Sequence, residues 1–133
     1  MAIRSLLDTH ILIRRLVEPH KLSKEQSRLI DEAERNGDQS AVSAFSLVEL
    51  ALLHIGGRLE DNGLRFLLDQ LSANPAFTVL PITTEVAREI SAMGGTLRDP
   101  ADQTIVATAR VHRLKLLTAD QRIIESQLAS VID

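Results

Sequence analysis

The sequence has no cysteine, tryptophan or tyrosine, and its only aromatic residues of the Phe, Trp and Tyr class are Phe45, Phe66 and Phe77. Without cysteine, a disulfide framework, a thiolate zinc site and a cysteine nucleophile are excluded. The scarcity of aromatic rings argues against a single-strand binder that stacks bases on them. The N-terminal segment MAIRSLLDTHILIRRL contains no apolar run long enough for a signal peptide or a membrane span. We therefore expect a cytoplasmic protein with no membrane association.

Length and charge narrow the protein class further. The 133 residues predict a single domain covering 1–133, which is large enough to bury a core without a structural metal. The chain carries 15 basic and 18 acidic residues, for a net charge of -3. This balance argues against a protein that holds nucleic acid mainly through a field of Lys and Arg.

Short apolar runs alternate with longer amphipathic segments along the whole chain, which predicts an α/β fold. Strands separated by helices favour a mostly parallel sheet with right-handed crossovers. The predicted strands are 3–8, 40–43, 77–82, 115–118 and, at an edge, 131–132. The predicted helices are 9–17, 23–36, 45–55, one around 64–71, 84–93, 100–112 and a short one that starts at Asp120.

Carboxylates follow the predicted strands at the edge where ligands bind in parallel sheets. Asp8 ends the first strand, Asp120 follows the strand at 115–118, and Asp99 and Asp102 open the helix at 100–112. Asp102 shares a helical face with Ile105, Val106 and Ala109, so we expect it to point inward.

Glu49 lies in the middle of the apolar segment SAFSLVELALLHI. Phe45, Leu52 and Leu53 share its helical face, and we expect that face to be turned toward the sheet. A carboxylate buried there would need a cation or several hydrogen-bond donors.

A structural explanation is available for each acid. Asp is among the best N-cap residues, so Asp8 and Asp120 could simply begin helices. Asp99-Pro100-Ala101-Asp102 resembles a cap, a proline at the first helical position and an acid in the first turn. Glu49 could be an ordinary solvent-facing residue. The coincidence of all these acids favours a site over separate caps.

Converging carboxylates favour a divalent cation. Two ionised carboxylates about 5 Å apart repel by roughly 3 kcal/mol at an effective dielectric constant of about 20. An all-oxygen site with no cysteine and no HxxxH histidine pair suits Mg²⁺ or Mn²⁺. Such ions activate water and neutralise charge on a phosphoryl group, so phosphodiester hydrolysis fits this set of residues. No Gly-x-Ser-x-Gly, P-loop or GxGxxG motif supports another chemistry.

Three segments carry a family resemblance, and in order they are LLDTHILI, SAFSLVEL and RDPADQTIVATARVHRLKLLTAD. In sequence and spacing they resemble the PIN-domain nucleases, most closely the VapC-like toxins of bacterial toxin-antitoxin pairs. The resemblance implies a three-layer α/β/α domain with a parallel, about five-stranded sheet and endoribonuclease activity that leaves a 5′-phosphate. It also implies catalytic, metal-holding acids at Asp8, Glu49, Asp102 and Asp120, with Asp99 as a further metal ligand and Thr118 in support.

The resemblance also implies partners. We expect an RNA substrate, with tRNA as the family-level expectation, a small cognate antitoxin and a homodimer. The antitoxin tail would lie in a groove near the acids, for which Leu12, Leu16, Leu52 and Leu53 are candidates, while the homodimer would use other helical faces. Candidate contacts to RNA phosphates are Arg14, Arg98 and Arg122, together with Arg15, Arg110, Arg113 and Lys115.

Two alternatives remain open at the level of the residues. A receiver-like phosphoryl-transfer domain also places Asp at strand ends, but it would show a second acid close to Asp8 or a lysine closing the site. A catalytically silent interaction module would use the acids as caps and bind a partner through the leucine stripe of residues 64, 67, 68 and 71.

Overall fold

A computed structural model describes all residues from 1 to 133, and its centre is a parallel five-stranded sheet. The strands are β1 (Ile3–Leu7), β2 (Gln39–Ser43), β3 (Phe77–Leu80), β4 (Lys115–Leu117) and β5 (Val131–Ile132). Their order across the sheet is β3-β2-β1-β4-β5, and every neighbouring pair is parallel. The predicted parallel sheet is confirmed.

Seven α-helices connect and cover the strands. They are α1 (Thr9–Val17), α2 (Lys24–Arg35), α3 (Ala44–Ile55), α4 (Asp61–Ala73), α5 (Thr84–Ala92), α6 (Pro100–His112) and α7 (Gln121–Ser126). A single turn of 3₁₀ helix at Pro19–Lys21 separates α1 from α2. No helix combines the length and the apolar character needed to cross a bilayer.

The sheet has a hydrophobic core on each face. Successive strand residues point to opposite sides: Leu7 and Leu117 pack in one core, while their neighbours Leu6 and Leu116 pack in the other. Helices α1 to α4 contribute to the first core, and α6 and α7 contribute to the second. The three-layer α/β/α arrangement is therefore confirmed.

The leucine stripe of α4 belongs mainly to the first core. Leu67 and Leu71 are buried there and Leu64 packs against it, whereas Leu68 remains 36% exposed. Most of the stripe is therefore unavailable to a partner, which removes the main support for the silent interaction module.

The antitoxin-groove prediction is wrong for Leu12. This side chain is fully buried in the first core, and Leu16 packs against the same cluster. Helix α1 follows the first strand and covers one face of the sheet, so its apolar side chains pack between the helix and the sheet. Leu52 lies at the surface, where it is 57% exposed.

A buried glutamine ties α2 to the carboxyl edge of the sheet. Gln26 is 2% exposed, and its Oε1 accepts a hydrogen bond from the backbone N–H of Ser23 in a capping box. Its Nε2 donates to the carbonyl oxygens of Thr118, at 3.4 Å, and Ile132, at 3.1 Å. The ends of β4 and β5 are thereby joined to the start of α2.

Candidate functional site

The two central strands bring the first and last predicted acids to the same edge of the sheet. Strands β1 and β4 are paired in register from Ser5 with Lys115 to Leu7 with Leu117. The backbone N–H of Asp8 extends this pairing by donating to the carbonyl oxygen of Leu117 at 2.9 Å. Asp8 and the turn that begins at Thr118 are consequently neighbours.

Asp8 is buried and held by two donors. Its side chain accepts hydrogen bonds from the Thr9 backbone N–H at 2.8 Å and from the Thr118 hydroxyl at 2.7 Å. The Thr118 oxygen in turn accepts from the Asp120 backbone N–H at 3.0 Å. Thr118 therefore links the two acids that follow the central strands.

Glu49 reaches the same region from α3. The Thr9 hydroxyl donates to Glu49 Oε1 and also lies 2.8 Å from the hydroxyl of Ser46. Burial raises the pKa of Glu49, and the negative charges of Asp8 and Asp99 raise it further, against the lowering effect of the Thr9 hydrogen bond. The mid-helix acid is thus placed beside Asp8, with Thr9 bonded to both.

The predicted orientation of α3 is wrong. The residues of this helix that are buried are Ser46 and Leu50, whereas Leu52 is exposed and Phe45 and Leu53 are half-buried. The Glu49 face lies at the border of the core, and α3 contacts α1 there through the Ser46 and Thr9 hydroxyls, 2.8 Å apart.

Helix α6 presents two acids in different roles. Asp99 is its N-cap and accepts hydrogen bonds from the backbone N–H groups of Ala101, at 2.7 Å, and Asp102, at 3.4 Å. Asp102 lies in the first turn with its side chain inward and is 8% exposed, as predicted. Burial raises the pKa of Asp102 to about 6, and the nearby charges of Asp120, Asp99 and Asp8 contribute in the same direction.

Asp120 caps α7 and forms an ion pair with the Arg122 side chain. It accepts from the Arg122 backbone N–H at 2.9 Å, and the Arg122 guanidinium contacts its carboxylate at 3.1 Å. The hydrogen bond from that guanidinium lowers the pKa of Asp120. The same Arg122 nitrogen lies 3.6 Å from Asp102, so one guanidinium bridges both acids.

His10 also belongs to this site, although the sequence offered no specific role for it. Its Nε2 accepts a hydrogen bond from the Ala119 backbone N–H at 2.9 Å, and its Nδ1 lies 3.5 Å from Asp8 Oδ2. Burial lowers the pKa of this imidazole. The only available signal was its position two residues after Asp8.

The predicted RNA-contact residues separate into free and paired side chains. Arg15 is engaged by Asp31 and Glu34, and Arg110 by Glu89, so these two are held within the protein. Arg98 is exposed beside Asp99, and Arg14 lies close enough to His10 to affect its pKa.

A shallow surface pocket of about 400 Å³ adjoins Glu49. Its other lining residues are Leu52, Leu53, Gly56 and Arg58. The two leucines are groove residues predicted from the sequence, whereas Arg58 was not. The pocket therefore places two leucine side chains and the cationic Arg58 next to Glu49.

The donor chemistry of these acids fits a hard divalent cation. All the donors are carboxylate oxygens, and the pKa values of Glu49 and Asp102 are raised mainly by burial and further by the neighbouring carboxylates. No three acid or histidine side chains already stand in a ligating arrangement. Hydrogen-bond donors hold Asp8 and Glu49, and Arg122 contacts Asp102 and Asp120.

Comparisons with known proteins agree with the family resemblance seen in the sequence. A family model described as the PIN domain matches residues 5–126. The curated protein Ribonuclease VapC22 of Mycobacterium tuberculosis (strain ATCC 25618 / H37Rv) is 35% identical over 120 residues, which are 89% of this chain and 88% of the relative.

Two solved structures share the fold. VapBC2 from Rickettsia felis, bound to a DNA fragment from its promoter, superposes with a TM-score of 0.73 at 13% identity and covers 98% of both chains. A toxin-antitoxin complex from Klebsiella pneumoniae gives a TM-score of 0.62 at 22% identity, covering 97% of this chain and 96% of the other. At these identities the likeness establishes the architecture.

Proposed function

The chain belongs to the PIN-domain family, in its VapC-like group, and from this premise we propose that it is a divalent-metal-dependent endoribonuclease and the toxin of a toxin-antitoxin pair. The observation that carries the proposal is the meeting of Asp8, Glu49, Asp102 and Asp120 at one edge of the sheet.

Asp8, Glu49 and Asp102 would hold Mg²⁺ or Mn²⁺, and Asp99 and Asp120 would complete the acidic set. When bound, the cation supplies Lewis acidity that makes a water molecule nucleophilic and neutralises charge on the phosphoryl group. The protein positions its ligands for this purpose: Thr118 holds Asp8, and Thr9 holds Glu49.

RNA is the proposed substrate, with tRNA as the first candidate. Water attacks phosphorus, the bond from phosphorus to the 3′ oxygen breaks, and the products carry a 5′-phosphate and a 3′-hydroxyl. Arg14, Arg98 and Arg122 would contact neighbouring phosphates. The structure supports these contacts through the exposed positions of Arg98 and Arg122 beside the acids. With only three Phe residues and no other large aromatic ring, recognition by shape and phosphates is favoured over base stacking.

Charge-neutralising variants test the site. Asp8→Asn, Glu49→Gln and Asp102→Asn keep the side-chain shape and should each lower Mn²⁺-dependent RNA cleavage by about 100-fold or more, because loss of even an outer-shell partner of a metal typically costs about 10- to 100-fold. Cleavage by the purified protein is measured with and without EDTA.

Asp69→Asn and Glu125→Gln provide matched controls at exposed acids of α4 and α7, and both should retain wild-type cleavage. Circular dichroism establishes that all variants are folded. Full activity of Asp102→Asn would contradict the assignment of this acid, and cleavage that persists in EDTA would contradict metal dependence.

A small antitoxin is the proposed protein partner, and the pocket beside Glu49 is its proposed docking region. Leu52 and Leu53 offer an apolar wall there, and an arginine presented by the antitoxin could pair with the acids. Co-expression from the native operon followed by affinity purification should recover a small second chain. Recovery of the protein alone, in an active form that the cell tolerates, would contradict the toxin assignment.

A homodimer is proposed through other helical faces. Phe66 and Leu68 on α4 are large apolar side chains that remain 44% and 36% exposed, and neither lines the Glu49 pocket. Exposed apolar patches on a small domain commonly mark interfaces.

A further inference from the structure

We propose that His10 is a positioning residue, a neutral imidazole bridge that holds the turn at Ala119 against Asp8. The bridge would set the distance between Asp8 and Asp120, the two acids that follow the central strands. This inference rests on the proposed metal-dependent function, since its consequence is measured at the acidic site. No catalytic contact with the substrate is assigned to His10.

The hydrogen bond at Ala119 determines the tautomer of the ring. Backbone N–H of Ala119 donates to His10 Nε2 at 2.9 Å, so Nε2 must present a lone pair rather than a proton. A neutral ring then carries its proton on Nδ1. That N–H faces Asp8 Oδ2 at 3.5 Å, which is longer than a full hydrogen bond but within reach of electrostatic attraction.

The turn between β4 and α7 is restrained by the Gln26 side chain, which donates to the Thr118 carbonyl oxygen at 3.4 Å, and by two hydrogen bonds of the turn's own backbone N–H groups. Thr118 N–H donates to the Ile132 carbonyl oxygen, and Asp120 N–H donates to the Thr118 hydroxyl. Ala119 is exposed, and its N–H has His10 as its partner. Two connections therefore join this turn to Asp8: the direct Thr118 hydroxyl bond and the His10 ring.

This arrangement makes His10 important for the site and less important for the fold. The ring is 36% exposed in its side chain and contributes to neither hydrophobic core. Its removal would free the Ala119 N–H to bond with water and allow the backbone at Asp120 to shift. A metal ligand displaced by about 1 Å contributes much less to binding. The affinity for the cation should therefore fall, while the free energy of unfolding changes little.

Three substitutions of His10 and one control distinguish the effect of its hydrogen bond to Ala119 from the effect of its side-chain size. In His10→Leu the side chain has a similar size and no acceptor. In His10→Gln the amide oxygen takes roughly the position of Nε2 and can accept from Ala119, whereas the shorter side chain of His10→Asn cannot reach it. His112→Leu makes the same chemical change at an exposed histidine at the end of α6.

The first readout is the dissociation constant for Mn²⁺, measured by calorimetry on the purified full-length protein. We expect His10→Leu and His10→Asn to bind Mn²⁺ about 10- to 100-fold more weakly than wild type, as for other outer-shell partners of metals. His10→Gln should recover most of the affinity, and His112→Leu should equal wild type. Unchanged affinity in His10→Leu would overturn the proposal.

The second readout needs no metal. In ¹⁵N NMR spectra the His10 ring should show a protonated Nδ1 and an unprotonated Nε2, and the Ala119 amide should exchange slowly with solvent. In His10→Leu that amide should exchange rapidly, and in His10→Gln slowly again. A protonated Nε2, or equal protection of Ala119 in His10→Leu, would overturn the bridge. Wild-type protein that binds no Mn²⁺ would instead overturn the proposed function, and the NMR result would still decide the bridge.

Discussion

Asp102 shows at the scale of one residue how a buried carboxylate lowers stability. It is 8% exposed and surrounded by the charges of Asp120, Asp99 and Asp8, and its pKa is raised to about 6. Arg122 at 3.6 Å opposes this effect without cancelling it. A helix-capping acid would have the opposite effect on the free energy of unfolding, so the sign of that effect distinguishes the two roles.

Removing this charge should stabilise the metal-free protein. The folded-state pKa of about 6 lies above the ordinary value of 3.8, so Asp102 favours folding below about pH 4 and this contribution is lost as pH rises through 6. Asp102→Asn should therefore match wild type near pH 4 and exceed its unfolding free energy at pH 8 by on the order of 1 kcal/mol. Urea denaturation in EDTA at both pH values measures this difference.

Added Mn²⁺ should reverse the ranking. At ten times its dissociation constant a cation stabilises the wild type by about 1.4 kcal/mol through linkage, and Asp102→Asn should gain much less. A destabilised Asp102→Asn protein in EDTA, together with a wild type that does not respond to Mn²⁺, would contradict the metal-site assignment.

Arg122 should compete with the cation. Its guanidinium bridges Asp120 and Asp102 at the place where a divalent ion would neutralise the same carboxylates. Arg122→Gln should consequently lower the dissociation constant for Mn²⁺ in calorimetry, even if it weakens RNA binding. Arg88→Gln, at an exposed position of α5, is the control. Weaker Mn²⁺ binding by Arg122→Gln would show that the guanidinium organises the acids instead.

At the scale of an element, the start of α6 combines a cap with a site acid. Asp99 satisfies two backbone N–H groups of the first turn. Asp99→Ala should lower the unfolding free energy by about 1 kcal/mol, since N-cap losses typically have this size, whereas Asp99→Asn can still cap and should cost little. Thermal or urea unfolding of both variants measures the cap. Mn²⁺ titration of Asp99→Asn then reports any separate role in metal binding, and equal stability of the Ala and Asn variants would contradict the cap.

Gln26 should stabilise the junction between α2 and the ends of β4 and β5. Gln26→Leu leaves the carbonyl oxygens of Thr118 and Ile132 without this donor, and a buried polar group deprived of its partner costs about 1–3 kcal/mol. Urea denaturation should show this loss, while Gln121→Leu at an exposed position of α7 should have little effect. Equal stability of the two variants would show that water replaces the glutamine.

Element boundaries were largely predictable because capping residues and periodicity are local signals. Ser23, Asp99-Pro100 and Asp120 marked helix starts that the structure contains. The orientation of α3 was not predictable in this way. Its sequence AFSLVELALLHI is apolar on almost every face, so periodicity did not distinguish the buried Ser46 and Leu50 from the exposed Leu52.

The placement of the acids at one edge of the sheet was predictable, but the hydrogen-bond network that holds them was not. Asp8, Asp102 and Asp120 were recognisable from their places relative to strands and helices. The hydrogen bonds from Thr9 to Glu49, from Gln26 to Ile132 and from Ala119 to His10 join residues that are far apart in the chain. No local pattern encodes such pairs, since they depend on tertiary packing.

At the scale of the whole molecule, exposed apolar side chains predict self-association. Light scattering should give a mass of twice 14.7 kDa. Phe66→Glu should shift the protein toward the monomer by placing a charge in an apolar contact, with no effect on Mn²⁺ affinity. Arg65→Glu, at the adjacent exposed position, should leave the mass unchanged. A wild type of monomeric mass would contradict the dimer.

The bond between Asp8 and Thr118 spans 110 positions of the chain. Strands β1 and β4 are parallel neighbours in the sheet, although two strands and six α-helices lie between them in sequence. Distant parallel pairing of this kind raises the contact order and slows folding. A nascent or truncated chain that ends before Lys115 has Asp8, Glu49 and Asp102 but lacks β4, the strand that pairs with β1 beside them. Harmful activity would therefore be withheld during synthesis until almost the whole domain has emerged and folded.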